Sequence, residues 1–126
     1  MTLDALASLS GSPAINRAVL GEWLDADDTA VNALLLLFYE SIDTELVRMR
    51  DLLALNDFAQ FASSAHRLRG AALSMGARSL GDFTGVLFTA ALAKDLNACV
   101  NGMPELMTLV KRVEAEIPGC PQSAGT

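Results

Sequence analysis

The stretch TAVNALLLLFYESIDTELVRMRDLLAL, residues 29–55, decides the fold. Val31, Leu35, Phe38, Ile42, Leu46, Met49 and Leu53 recur in it at steps of three and four, which winds one apolar stripe down a long helix from Thr29 to Leu55. Upstream, the cluster Asp25-Ala-Asp-Asp28 supplies an N-cap and negative charge for the start of that helix, and Asn16 to Leu24 can form a short helix before it. Downstream, Asp57 with Gln60 three residues later has the form of a capping box. It opens a second helix with the stripe Phe58, Phe61, Ala65, Leu68 and Ala72, which Gly76 stops.

The remaining chain repeats the pattern. Ser79, three before Asp82, is a cap for a third helix carrying Leu80, Phe83, Leu87 and Ala90, in which Gly81 and Gly85 cost helix propensity but let a neighbour approach. Gly102-Met-Pro104 reads as a further break, followed by a last stripe at Leu106, Leu109, Val110, Val113 and Ile117. Nothing alternates as a strand does. Short connections between four amphipathic helices imply antiparallel neighbours, so the expected fold is all-α, an up-down-up-down four-helix bundle with a short additional N-terminal helix across one end. The expected boundaries are a flexible tail at 1–12, the bundle at 13–117 and a flexible tail at 118–126.

Composition narrows the function. The 126 residues fit one domain, and 52% hydrophobic residues suffice for a self-standing core. Nine basic against fifteen acidic residues give a net charge of −6, which argues against general nucleic-acid binding, although Arg48, Arg50, Arg67, Arg69 and Arg78 gather mid-chain. The start, Met1-Thr2-Leu3-Asp4, lacks a secretory pattern, and the most apolar run, Ala33 to Tyr39, is far too short to span a membrane. Cys99 and Cys120 form no C-x-x-C pair and read as reduced thiols, Cys99 as a small buried hydrophobe. A cytoplasmic monomer is the expectation.

His66 is the only histidine. Winding the second helix at 100° per residue turns it roughly 120° from the centre of the apolar stripe, so the ring faces solvent. Its helix-surface neighbours are Ala62, Ser63, Arg69 and Gly70, at spacings of three and four. Gly70 costs about 1 kcal/mol against alanine in a helix interior, a cost that clearance for another protein's backbone explains. Arg69 can lay its stem on apolar surface and bring its guanidinium to a phosphoryl oxygen. Neutral imidazole is a nucleophile near physiological pH, and its phosphoramidate is energetic enough to pass the group onward.

Ala65-His66-Arg67-Leu68-Arg69-Gly70, followed by Gly76-Ala77, resembles the A-H-x-L-K-G-x-x-x-x-x-G-A signature of histidine-containing phosphotransfer (HPt) domains. The resemblance runs from about Ile15 to Ile117 and includes Asp28, Leu36 and Phe38 of the preceding segment. It implies that His66 accepts the phosphoryl group, that Arg69 stands for the family's lysine, and that Gly70 gives clearance. The partner contacts expected around this site are Ala62, Ser63, Arg67, Leu73 and Arg78. The implied partners are response-regulator receiver domains and a hybrid sensor histidine kinase, with Mg²⁺ on the receiver and no metal or cofactor in this chain. Three positions depart from the family pattern: Arg69 alters reach while keeping charge, Ala71-Ala72 replaces small hydroxyl residues, and Phe88 stands where many members have glutamate.

Rival classes fare worse. An autokinase needs a nucleotide-binding domain and a Gly-rich phosphate loop, neither of which the chain contains. A metal or haem bundle needs several inward His, Glu or Asp ligands, and the acids here lie on polar faces or at helix starts. A scaffold that binds receiver domains without accepting phosphate is the main alternative.

Overall fold

The computed structural model describes residues 13–22 and 27–119. The expected tails lie outside them apart from Pro118 and Gly119, as do Leu24, Asp25 and Cys120. Among the described residues every regular element is a helix: α1 (Ala18–Gly21), α2 (Asp28–Ala54), α3 (Phe58–Ser74), α4 (Arg78–Leu92) and α5 (Leu96–Ala115). None is long and apolar enough to cross a membrane.

Helix α2 starts where the acidic cluster predicts. The Asp27 carboxylate accepts hydrogen bonds from the amides of Thr29 and Ala30 and satisfies donors that have no intrahelical partner, while Asp28 adds charge to the first turn. Its apolar face is rotated slightly from the expected stripe. Tyr39 is buried and Phe38 only half-buried, because the Tyr39 hydroxyl reaches across to α5 and donates to Glu114 at 2.9 Å.

The three turns between the long helices share one design. In each, a left-handed residue is followed by the N-cap of the next helix: Asn56 at φ 55° before Asp57, Gly76 at φ 82° before Ala77, and Lys94 at φ 55° before Asp95. The amides of Asp57, Ala77 and Asp95 return to the carbonyls of Leu52, Ala72 and Ala90, closing the last helical turn before the chain reverses. Asp57 and Asp95 then cap through their side chains, accepting from the amides of Gln60 and Ala98. The forward half of the expected capping box is thus present, while the Asp57 amide is committed to Leu52.

Two expectations fail here. Ser79 does not cap α4, which begins two residues earlier than such a cap would place it, with Ala77 at the N-cap and no side-chain cap bond; the turn closure delivers the chain directly into the helix. Gly102-Met-Pro104 does not break the chain either, since α5 runs from Leu96 through Pro104 to Ala115. Pro104 cannot donate to Val100, but both residues lie on the exposed face, where water can satisfy the carbonyl. Gly102 instead lets α4 approach, since a Cβ there would stand 2.5 Å from a Leu87 methyl. The actual break is Ala93-Lys94-Asp95.

The N-terminal segment is pinned across one end. Glu116 accepts from the amides of Ala14 and Ile15 at 2.6 and 2.9 Å, the Asn16 amide donates to the Gly76 carbonyl, and Arg17 donates to Asn32. The end of α5, the α3–α4 turn and the beginning of α2 therefore share that end. The short helix is confined to Ala18–Gly21, within the wider span expected of it, and Leu20 is its buried residue. Gly76 is constrained twice, by its positive φ and because a Cβ would collide with the Asn16 backbone. One core runs through the four long helices, with Leu35, Ile42, Met49, Phe61, Leu68 and Leu106 fully buried.

Candidate functional site

Helix α3 sets the direction of His66 by burying the opposite face. Phe61, Ala65, Leu68 and Ala72 are 0% exposed, whereas His66 is exposed, as the helical spacing predicts. Its ring packs against Phe88 of α4 with centroids 5.8 Å apart and planes tilted by 46°. Phe88 itself is half-buried against the core.

The same seam continues toward the C-terminal end of α3. A Cβ at Gly85 would stand 3.3 Å from Arg69 Nε, and one at Gly81 would stand 2.5 Å from a Leu73 methyl. His66, Arg69 and Leu73 thus meet Phe88, Gly85 and Gly81, so residue numbers rise along α3 as they fall along α4. The two glycines give the close approach their spacing suggests. Arg69, Asp82, Gly85, Val86, Phe88 and Thr89 line a shallow depression beside the histidine.

Gly70 has open space beside it, with nothing within 4 Å of the position a Cβ would take. No neighbour among the described residues therefore requires glycine there. Ser63 is exposed and Leu73 is 38% exposed, so both are available at the surface.

Three expected partner contacts stand differently. Ala62 is only 4% exposed, because it lies on the edge of α3 turned toward the packed interior, and it leaves room without offering a contact surface. Arg67 is not a free solvated cation. Its guanidinium pairs with Glu45 of α2 at 2.9 Å and donates to Ser64, a fully buried residue. Arg78 is exposed and pairs with Asp82 at 3.7 Å, but it precedes Phe88 by ten residues on α4, about 15 Å along the axis, and is not brought to His66.

Glu45 registers the Arg67 contact electrically. Burial pushes its carboxyl up, but hydrogen bonds with Arg67 and Ser64, together with the charges of Arg67 and Arg48, outweigh burial and hold it below the usual glutamate value. Cys99 is fully buried, as expected, and burial with the nearby Asp95 charge pushes its thiol up, away from nucleophilic chemistry.

A family model described as the Hpt domain matches residues 33–116. The chain belongs to the Hpt domain family. No curated protein and no solved structure matches it significantly. The matched span of this Hpt domain takes in most of α2 and all of α3, α4 and α5, and leaves out the clasped N-terminal segment. Hpt domains take part in phosphorelays by histidine phosphotransfer, as phosphoryl carriers that interact with receiver domains.

Two features of the Hpt domain site were hidden in the sequence. The Glu45–Arg67 pair joins residues 22 apart on different helices, beyond the reach of i, i+4 reasoning. The His66–Phe88 contact depends on the register between α3 and α4, which helical periodicity alone leaves open.

Proposed function

We propose that this Hpt domain accepts a phosphoryl group on His66 from the aspartyl phosphate of a receiver domain and passes it to a second receiver. One observation carries the reading: the family works through a histidine, the chain has only one, and its ring is exposed on a surface with open ground at Gly70. In the transfer, a ring nitrogen of His66 attacks phosphorus in line with the aspartyl oxygen. The N–P bond forms as the P–O bond breaks, the carboxylate leaves, and the ring proton goes to solvent.

Arg69 offsets charge on the transferring group, and its placement over Gly85 keeps the guanidinium on the His66 face of α3. Gly70 admits the partner's loops, with Ser63 and Leu73 at the edge of the same surface. Mg²⁺ for the step belongs to the receiver, and no cofactor is required of this chain. The phosphoryl source upstream is a hybrid sensor histidine kinase. The protein acts as a cytoplasmic monomer whose four long helices run up-down-up-down, an arrangement supported by the meeting of the α2 start, the α3–α4 turn and the α5 end around residues 14–17.

Incubation with a labelled phospho-receiver tests the proposal. A carrier takes acid-labile label as the receiver loses it. A pure scaffold binds the receiver and stays unlabelled.

A further inference from the structure

His66 and Phe88 meet ring to ring across the α3–α4 seam. The Phe88 ring is held on one side by the core and on the other borders the depression that contains Arg69 and Gly85. His66 is exposed and meets this fixed ring at 5.8 Å. We propose that Phe88 is a positioning residue, which holds the imidazole toward α4, on the side of Arg69, in the orientation from which a ring nitrogen attacks phosphorus. The inference rests on the reading of His66 as the phosphoryl acceptor.

An exposed histidine samples several staggered side-chain rotamers, and only some aim a nitrogen along the attack line. A tilted aromatic neighbour favours the rotamer that keeps the rings together. Phenylalanine has no lone pair and no polar hydrogen, so it orients the imidazole without hydrogen-bonding either nitrogen. Phe88 thus leaves both nitrogens to their chemistry, one to attack and the other to exchange its proton with water. A polar side chain in this place would orient the ring by occupying a nitrogen; Phe88 orients it by contact alone.

The test compares the full-length wild type with Phe88→Leu and Phe88→Tyr, each first shown by circular dichroism to keep its helices. Nuclear magnetic resonance of the unphosphorylated proteins reads the ring-current shift and rotamer-dependent couplings of His66. Transfer from a phospho-receiver at increasing concentration separates the maximal rate from the half-saturating concentration. Phosphoramidate, which releases ammonia as it gives up its phosphoryl group, serves as a donor that needs no docking surface.

In Phe88→Leu the ring-current shift disappears and the couplings move toward rotamer averaging. The maximal transfer rate falls about three- to tenfold, with little change in half-saturation. Phe88→Tyr restores both readouts. Unchanged His66 resonances in Phe88→Leu, or a loss confined to half-saturation, overturns the positioning role. If wild type takes label from neither donor, the acceptor reading fails and takes this role with it. Label on wild type with an unaffected Phe88→Leu defeats the positioning role alone.

Discussion

Arg69 of α3 lies across Gly85 of α4, so close that a methyl group on the glycine would stand 3.3 Å from Nε and 3.5 Å from Cδ of the arginine. The glycine provides a seat for the side chain on the His66 face. Arg69→Ala removes a charge-assisted hydrogen bond to the transferring group, worth about 1.5–3 kcal/mol, and slows transfer roughly ten- to hundredfold. Arg69→Lys keeps most of the rate, because the charge remains while the planar fork is lost. Initial rates of label transfer from a phospho-receiver check both; an Arg69→Ala rate equal to wild type removes the arginine from the mechanism.

Gly70 separates stability from function. Because open space surrounds the position, Gly70→Ala raises stability by up to about 1 kcal/mol through helix propensity, seen as a melting temperature a few degrees higher. Gly70→Leu also folds, yet its side chain occupies the ground kept for a visiting backbone, and affinity for a receiver falls by roughly tenfold or more. Calorimetric titration measures that loss. Undiminished binding by Gly70→Leu contradicts the clearance role.

Glu45 gives the fold a pH signature. Its carboxyl titrates lower in the folded protein than in the unfolded chain, so its stabilisation is fully present above about pH 4.3 and is lost as pH falls through the lower folded value. Glu45→Gln at neutral pH therefore costs about 1 kcal/mol, a modest figure because Arg67 is half-exposed to screening solvent. Urea unfolding at a series of pH values shows the gap to wild type closing in acid. A gap that stays constant, or widens, rules out the ion pair as its source.

Much of this was legible in the sequence because local rules decide it. Asp57 caps α3 through a bond three residues away, the stripe from Val31 to Leu53 keeps helical period, and the angle between His66 and the Ala65–Ala72 face follows from helix geometry alone. Misreadings arose where a stop signal and its context conflict. Pro104 and Gly102 look like a break but sit in α5, the proline on the solvent side and the glycine beneath Leu87. The real turn uses Lys94 at positive φ, a position at which sequence reasoning looks for glycine or asparagine. At the site, Arg67 was expected to meet a partner, and its pairing with Glu45 was out of sight because that residue lies on another helix.

The central claim is tested most directly by mixing labelled phospho-receiver with this chain and with His66→Gln, then following acid-labile label on each over time. The account predicts that wild type gains label as the receiver loses it, while His66→Gln binds the receiver and gains none. Equal labelling of the two proteins, or no labelling of wild type by any receiver that binds it, contradicts the account.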